Sequence, residues 1–318
     1  PNLKIISAYL YIQNFALNLE DHLFRLHNRL LNDNYQHSAY ISFFVHDPKL
    51  RHIHKAPVVD RVLHHAVMRV LEPIFEKSFI FDSYSSRKHK GTHKAVKRLH
   101  QFAWKLSRNN TRAVWALQCD IRRFFDSVDH IILEGLTKKK IADTPTIKLL
   151  HAIIDSFHTQ AGKGIPLGNV TSQLFSNIYM NPFDQYMKRT AMAKYYLRYA
   201  DDFVVLSRDR NYLEELISKM RNFLYDSLRL EMHPAKISIR KWTHGIDFLG
   251  YVSFPYYAIL RTKTKKRMLK KMRKRRALFQ QGVITEYSFN QSLQSYLGIL
   301  KHCRGSQLAN VLLTESLL

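Results

Sequence analysis

The sequence has little cysteine and no long apolar run, and each shortage excludes a class of protein. Two cysteines, Cys119 and Cys303, stand in 318 residues. They are too few for a disulfide framework or a zinc site, so we expect packed thiols in a reducing interior. No apolar run approaches the roughly 18 residues of a spanning helix, and the N-terminus lacks the small-residue cleavage site of a signal peptide. We therefore expect a cytoplasmic protein with no membrane partner. Because Pro1 stands without a preceding Met, we expect the numbering to begin inside a longer chain.

Acidic residues are also scarce. The chain has 25 Asp and Glu against 50 Lys and Arg, which leaves a formal net charge of +25. Excess positive charge on this scale predicts a polyanionic partner, and nucleic acid is the commonest. Hydrophobic residues make up 46% of the chain and aromatic residues 12%. This composition is typical of a folded globular protein, and the length allows two or three subdomains.

The acids that are present include an adjacent pair between two apolar runs. Asp201 and Asp202 lie between residues 195–197 and 203–206, whose β-forming side chains predict a hairpin with the pair at its tip. A third acid, Asp120, ends another strand-like run. Three carboxylates from two neighbouring strands can hold two Mg²⁺ ions about 4 Å apart, an arrangement that drives phosphoryl transfer. For the pair alone, a solvated turn is the alternative.

Hydrophobic periodicity predicts an α+β fold, with an antiparallel sheet and helices on one face. We expect a helix over residues 9–31, and a second helix that Asp60 caps and Pro73 kinks or ends. Further along, the pattern predicts helices at 129–157, 171–188 and 212–228, short strands around 237–239 and 248–252, and helices in the basic tail, the last near 295–303.

The three acids and their neighbours carry a resemblance to reverse transcriptases. Asp120 followed by Phe124-Phe125 resembles motif A, and Tyr199-Ala200-Asp201-Asp202 resembles motif C. Four more segments resemble, in family order, the two fingers motifs, motif D and the primer-grip motif E: residues 49–55, 83–93, 230–236 and 246–251. The resemblance extends over nearly all of the chain. It implies an RNA-directed DNA polymerase with a right-hand fold: fingers at 1–115 and part of 130–170, palm at 116–252 and a helical thumb at 253–318.

The resemblance also implies a role for each matching position. Asp120, Asp201 and Asp202 would be catalytic and would bind two Mg²⁺ ions, or Mn²⁺ instead, with the carbonyl of Ile121 as a further ligand. The residues implied for the incoming nucleotide are Arg51, Arg87, Phe125, Leu167, Gly168, Gln173 and Lys236. Those implied for nucleic acid are Phe248, Leu249, Gly250 and Tyr251 of the primer grip, and Lys270, Lys271 and Arg275 of the thumb.

Several of these positions have an ordinary structural alternative. Phe125, the implied steric gate against the sugar C2′, equally suits a core aromatic, with Phe124 pointing the opposite way. Lys236, implied to protonate the leaving pyrophosphate, equally suits a surface lysine. Asp126 and Asp129 are expected to cap the following helix rather than to bind metal. The basic thumb run is either a solvated face or, as its interleaved apolar residues favour, a helix lying on template–primer phosphates.

The loop before the 171–188 helix indicates a subclass. Most reverse transcriptases have Q-G-x-x-x-S-P there, whereas this chain has Leu167-Gly168 followed by Ser172-Gln173. This pattern is similar to the enzymes of diversity-generating retroelements, which copy a template repeat RNA with frequent errors at adenine. The change from Gln to Leu removes hydrogen bonding beside the incoming nucleotide. Gly168 would let the backbone approach that nucleotide closely.

Alternatives to this subclass remain. An antiviral-defence reverse transcriptase shares the loop variant, and a non-catalytic RNA-binding scaffold is disfavoured by the three acids. A group II intron maturase is not expected, because the usual loop and a further C-terminal domain are absent. The resemblance implies template RNA, cDNA and dNTPs as partners, an oligomeric basic accessory protein, and a bacterial or phage source.

Overall fold

A computed structural model describes residues 12–46 and 49–317 of the chain. The chain divides into two compact units, each built from three stretches of sequence. Within the described residues, the first unit combines Pro1–Ser86, Asp120–Ala193 and Ser218–Pro234. The second unit combines Arg87–Cys119, Lys194–Ile217 and Ala235–Leu318.

Helices and strands are interspersed along the chain. The helices are α1 (Leu19–Leu31), α2 (Val58–Glu76), α3 (Thr92–Leu106), α4 (Phe124–Ser127), α5 (His130–Lys138), α6 (Thr144–Asp155), α7 (Val170–Gln185), α8 (Arg210–Leu228), α9 (Thr262–Gln280), α10 (Glu286–Leu300) and α11 (Ser306–Leu317). The strands are β1 (Ile41–His46), β2 (Leu50–Lys55), β3 (Trp115–Asp120), β4 (Tyr196–Tyr199), β5 (Asp202–Ser207), β6 (Ser238–Lys241), β7 (Ile246–Phe248), β8 (Tyr251–Ser253) and β9 (Ala258–Leu260).

The first unit is mainly helical and carries one hairpin. β1 and β2 pair antiparallel, with Ile41 opposite Lys55. Helix α7 is buried along most of its length and packs against α2 and α5. Its Phe175 and Tyr179 are fully enclosed. Burial on this scale removes large aromatic surfaces from water, so α7 is the structural centre of the unit.

The second unit contains two sheets and the C-terminal helices. Its larger sheet has the strand order β4-β5-β3-β6, in which β4 pairs antiparallel with β5 and β3 with β6. Helix α3 packs on β4 and β5. The smaller sheet, β7-β8-β9, is antiparallel throughout. The predicted α+β class is confirmed.

The first two predicted helices differ from those in the structure. Residues 12–17 are helical, but a turn at Asn18 separates them from α1, and residues 9–11 lie outside the described part of the chain. Asp60 does not cap α2, because the helix begins at Val58 and Asp60 is a fully buried residue of its first turn. Its carboxylate accepts a hydrogen bond from the Tyr35 hydroxyl at 2.7 Å. Pro73 does not end α2 either.

Helix caps explain a further difference. The predicted helix at 129–157 is two helices, because Asp129 and Asp143 each cap a separate start. The Asp129 carboxylate accepts from the Ile132 amide at 3.2 Å, and that of Asp143 from the Thr146 amide at 2.8 Å. Capping by Asp129 is confirmed, whereas Asp126 lies inside α4 and caps nothing that follows. The Thr146 bonds also lower the pKa of Asp143.

Differences near the C-terminus come from turns. The strand predicted at 248–252 is a hairpin, β7 to β8, turned at Leu249 and Gly250, which have φ angles of 52° and 89°. Helix α11 follows the helix that was expected to be the last.

Cys119 is buried as predicted, and Cys303 is half-buried. Over the described residues, none of the helices combines the length and apolar character needed to cross a membrane.

Candidate nucleotide and nucleic-acid sites

A basic cleft of about 680 Å³ opens in the first unit. Five cationic side chains line it: Arg51, Arg122, Arg123, Lys163 and Arg229. Two acids, Asp126 and Glu231, also face it, as do His52, His54, Phe157 and Leu167. Because cations outnumber acids in a confined space, the cleft favours an anionic ligand such as a phosphorylated molecule.

One end of the cleft is built where β2 meets the loop before α7. The amide of His54 donates to the carbonyl of Leu167 at 2.9 Å. Gly168 has a φ of +122°, and a Cβ added there would lie 2.9 Å from Cγ2 of Ile53. The close approach that Gly168 permits is therefore to strand β2, and its approach to a nucleotide stays a prediction. These contacts place Arg51 and Leu167 on the same cleft.

Two histidines of β2, His52 and His54, form a cluster of aromatic rings with Phe157. The rings of His52 and His54 lie 4.2 Å apart, and His54 contacts the Phe157 ring at 4.6 Å. Burial lowers the pKa of His54, and the neighbouring His52 lowers it further. An uncharged His54 is thereby favoured, so His54 contributes aromatic surface to the cleft rather than positive charge. Gln173, expected at the nucleotide site, is solvent-exposed on α7.

The segment that resembles motif A lies beside the cleft and lines it through Arg122, Arg123 and Asp126. Asp120 ends β3 with 8% of its surface exposed, and its carbonyl accepts from the His233 amide at 2.8 Å. Phe124 is buried and Phe125 half-buried, with their rings 5.5 Å apart. Arg123, in the left-handed region at φ 45°, precedes a helical turn that begins at Phe124. Phe124 and Phe125 therefore lie on a helical turn, and the strand geometry on which we based their opposite directions is wrong.

An ion pair joins a cleft-lining arginine to a buried carboxylate. The Arg229 guanidinium lies 2.6 Å from the carboxylate of Asp129, whose side chain is 4% exposed. The amide of Asp129 donates to the Tyr179 hydroxyl at 3.1 Å, and that hydroxyl donates to the Leu228 carbonyl at 2.6 Å. Burial raises the pKa of Tyr179. Sequence patterns did not single out Arg229, because its partner stands 100 residues away.

In the second unit, the adjacent acids lie at a hairpin tip, as predicted. Tyr199 pairs with Asp202, so Ala200 and Asp201 form a two-residue turn, and Ala200 has a left-handed φ of 54°. The guanidinium of Arg198, which is fully buried, donates to the Ala200 carbonyl at 2.9 Å. A buried arginine bonded to the turn is a positioning device that the sequence patterns missed.

The metal site itself stays a prediction. Asp120 belongs to the first unit, and Asp201 and Asp202 to the second. Over residues 12–46 and 49–317, no group of three His, Cys, Asp or Glu side chains is arranged to hold a metal ion. The carboxylate oxygens that these three residues offer are the hard donors that Mg²⁺ and Mn²⁺ prefer.

The primer-grip residues of the second unit border a cavity of about 660 Å³, together with His93 and Arg267. Leu249 and Gly250 form its turn, whereas Phe248 is buried in the sheet. The hydroxyl of Tyr251 donates to the Ile299 carbonyl at 3.1 Å and lies 3.0 Å from Nε2 of His93. Burial raises the pKa of Tyr251 to about 12. Tyr251 therefore connects α3, β8 and α10.

Two other nucleotide candidates also lie in the second unit. Arg87 is half-buried, and its carbonyl accepts from the Lys90 amide at 3.2 Å. Lys236 is exposed on a short 3₁₀ turn, Pro234–Lys236. The phosphate role of Arg87 and the proton-donor role of Lys236 stay predictions.

The basic thumb run forms helix α9. Met268 and Met272 are buried, whereas Lys270 and Lys271 are exposed. Arg275 is half-buried, and its Nη2 donates to the carbonyl and hydroxyl of Ser288 at 2.9 and 2.7 Å. Arg275 therefore joins α9 to α10, and phosphate contact by Lys270 and Lys271 stays a prediction.

The overall similarity to solved structures identifies the class of fold. A structure of telomerase from Candida tropicalis, truncated from its C-terminal domain, matches with a TM-score of 0.56 and 14% sequence identity. The match covers 70% of this chain and 55% of that one. Telomerase from the same organism bound to a TWJ fragment of telomeric RNA also matches, with a TM-score of 0.56 and 12% identity. This likeness shows a right-hand polymerase fold.

The family follows from the sequence match. The family model described as reverse transcriptase (RNA-dependent DNA polymerase) matches residues 46–253, so the chain belongs to the reverse transcriptase family. Protein YkfC of Escherichia coli K12 is 28% identical over 71% of this chain and 69% of its own length. The group II intron-encoded protein LtrA of Lactococcus lactis is 21% identical over 64% of this chain. The chain spans 44% of LtrA and about half of the telomerase chains.

Proposed function

We propose that this chain is an RNA-directed DNA polymerase of the diversity-generating type, which copies RNA into cDNA with frequent errors at adenine. One observation carries the proposal: the cleft of the first unit is lined by Arg51, Arg122, Arg123, Asp126 and Leu167. This cleft pairs cations for a triphosphate with an aliphatic residue where most family members place glutamine.

The residues divide the work of phosphoryl transfer. Asp120, Asp201 and Asp202, with the Ile121 carbonyl, would hold two Mg²⁺ ions, which supply charge stabilisation to the attacking and leaving oxygens when bound. Arg51 holds the triphosphate of the incoming dNTP through a planar guanidinium, and Arg87 contributes from its own unit. Phe125 excludes a 2′-hydroxyl. Lys236 donates a proton to the leaving pyrophosphate.

The template and product are held by the remaining basic surface. The primer-grip turn at Leu249 and Gly250 holds the primer end, and Lys270 and Lys271 contact backbone phosphates. A–form duplex is recognised through phosphates and 2′-hydroxyls rather than base edges. The similarity to a telomerase bound to RNA supports an RNA partner for this chain. These roles divide the chain into fingers, palm and thumb, and we include the basic accessory protein in the proposal.

Leu167 carries the proposed loss of fidelity. Discrimination between correct and incorrect pairs rests on about 1–3 kcal/mol of contact energy at one site, so one missing polar contact changes error rates tenfold or more. Leu167 offers no hydrogen bond to the nucleotide. The nucleotide is then selected mainly by shape, and adenine in the template is copied least accurately.

The test is to sequence cDNA copied from one defined RNA by wild type, Leu167→Gln and Leu167→Met. We expect frequent errors at adenine for wild type and Leu167→Met, and about tenfold fewer for Leu167→Gln. Leu167→Met is the matched control, because it changes shape without adding a hydrogen-bonding amide. Equally low error at adenine in all three would remove the diversifying role and favour the antiviral-defence alternative.

A group II intron-type reverse transcriptase is the second candidate, because LtrA is described as a group II intron-encoded protein. Accurate wild-type copying of adenine, together with tight, salt-resistant binding to a structured intron RNA, would favour it. The aliphatic residue at Leu167 argues for the first candidate.

A further inference from the structure

We propose that Asn169 is a positioning residue for nucleotide selection, because its carboxamide sets the spacing between β2 and the loop that carries Leu167. This inference rests on the proposed function of the cleft. Asn169 immediately precedes α7 and is 3% exposed. It does not line the cleft itself, so any effect on selection passes through its neighbours.

The two ends of the Asn169 amide bind two backbone groups, one in β2 and one just after it. Its Oδ1 accepts from the amide of Ala56 at 3.2 Å, and its Nδ2 donates to the carbonyl of His54 at 3.3 Å. The side chain thus bonds to the end of β2 and to the residue that follows it. With the bond from the His54 amide to the Leu167 carbonyl at 2.9 Å, three hydrogen bonds join residues 54–56 to residues 167–169.

A carboxamide suits this position because it can accept from the Ala56 amide and donate to the His54 carbonyl at the same time. It presents one acceptor and one donor on a planar group, which suits a backbone amide and a backbone carbonyl at the same time. A carboxylate keeps the acceptor but sets negative charge against the His54 carbonyl. Asn169 does not act as a helix cap, because its side chain makes no capping bond to α7.

The spacing that Asn169 sets has a direct consequence for the cleft. Arg51 lies three residues before His54 on β2, and Leu167 lies two residues before Asn169, and both line the same cavity. A shift of β2 relative to the loop therefore changes the distance between a phosphate-binding group and a base-selecting surface. The loop and β2 are already in close contact, because a Cβ added at Gly168 would lie 2.9 Å from Cγ2 of Ile53. The loop therefore cannot move closer to β2 to compensate for the shift.

The experiment compares wild type with Asn169→Ala, Asn169→Asp and Asn181→Ala in single-nucleotide incorporation of correct and incorrect dNTPs. We expect Asn169→Ala to raise KM for the correct dNTP about fivefold or more and to lower discrimination about threefold to tenfold, with kcat within about threefold. Asn181 is the matched control, since it lies on α7, which Asn169 precedes, and its amide donates to the Ser78 hydroxyl at 3.4 Å, outside the cleft lining.

Asn169→Asp supplies a readout that a purely structural role would not change. Protonation of the introduced carboxyl restores the donor to the His54 carbonyl, and burial raises its pKa. We expect its discrimination, relative to wild type at each pH, to recover as the pH falls from about 8 to 6, whereas Asn169→Ala shows no recovery. The wild-type reference accounts for effects of pH on the ionisable groups around His54, which include His52 and Asp126.

The outcomes separate this inference from the proposed function. Unchanged KM and discrimination in Asn169→Ala, or equal losses in Asn181→Ala, would overturn the role of Asn169 while leaving the polymerase intact. A wild-type chain that incorporates no nucleotide would refute the proposed function instead. Hydrogen exchange then still tests the junction, because unaltered exchange of the Ala56 amide in Asn169→Ala would overturn it.

Discussion

Substitution of Gly168 tests whether close contact between β2 and the loop before α7 shapes the basic cleft of the first unit. Its φ of +122° is a conformation that side chains rarely adopt, and an added Cβ would lie 2.9 Å from Cγ2 of Ile53 and 3.4 Å from the His54 carbonyl oxygen. Gly168→Ala therefore introduces backbone strain and a steric clash together. We expect it to push the loop away from β2.

The magnitude follows from these two terms. A non-glycine residue held in a sparsely populated region costs about 1–3 kcal/mol. Overpacking by one carbon costs a further 1–3 kcal/mol or so. The sum is about 2–6 kcal/mol, and its lower end alone corresponds to a roughly thirtyfold change in population.

Gly91 provides the matched control. It has a similar φ of +110°, but nothing lies within 4 Å of an added Cβ. Gly91→Ala therefore carries the strain without the clash, and we expect a cost of about 1–3 kcal/mol. Replacing Ile53 by Ala in the Gly168→Ala background removes the clash alone, so the double variant should regain about 1–3 kcal/mol.

Hydrogen exchange by mass spectrometry is the appropriate assay. The three tryptophans, Trp104, Trp115 and Trp242, all belong to the second unit, whereas hydrogen exchange reports on residues 53–56 directly. We expect amides of residues 53–56 to exchange about thirtyfold faster or more in Gly168→Ala. Exchange equal to wild type, or no relief from Ile53→Ala, would show that β2 and the loop are not held by close contact.

Three further predictions address catalysis, nucleic-acid binding and pH. Asp201→Asn should abolish Mg²⁺-dependent DNA synthesis and spare RNA binding, because losing a metal ligand costs several kcal/mol in the transition state; more than about a tenth of wild-type synthesis contradicts this. Neutralising Lys270 and Lys271 should flatten the slope of log K against log [salt] for binding of RNA–DNA duplex by up to about 2. Arg275→Gln should leave that slope unchanged, since Arg275 bonds to Ser288. Burial lowers the pKa of His64 to about 4. The unfolded chain therefore binds this proton first, and stability should fall by about 3 kcal/mol as the pH drops from 6.5 to 4; calorimetry on wild type and His64→Gln tests this, and parallel curves would contradict it.

Local sequence patterns predicted the elements well where one signal dominated. The hairpin at Asp201 and Asp202 was predicted because β-forming runs flank a short turn, and the structure confirms it. Of the two outcomes predicted for Pro73, ending the helix is wrong, because α2 continues past it with Leu71 and Phe75 buried on either side. Asp60 looks like a cap in the sequence, but its carboxylate is used by Tyr35, 25 residues away. Tertiary partners of this kind override local preference.

For the candidate sites, residue types were predictable and their partners were not. Motif resemblance selected Arg51 and Leu167, and the structure places both on one cleft. Nothing local distinguishes Arg275 from Lys271, yet Arg275 bonds to α10. Asn169 was passed over because its bonding partners, His54 and Ala56, stand more than a hundred residues earlier in the chain.

The sequence alone determined the chemistry that this protein can offer. Its charge of +25 predicts a polyanionic partner, and its ordered motifs indicate the polymerase family. Those properties depend on residue type and spacing, which the chain carries before it folds. Only the tertiary structure decided which side chains contact one another: Asn169 with β2, Arg229 with Asp129, and Arg198 with the turn at Ala200. Buried polar groups must find partners wherever the fold brings them, and distance along the chain does not constrain that choice.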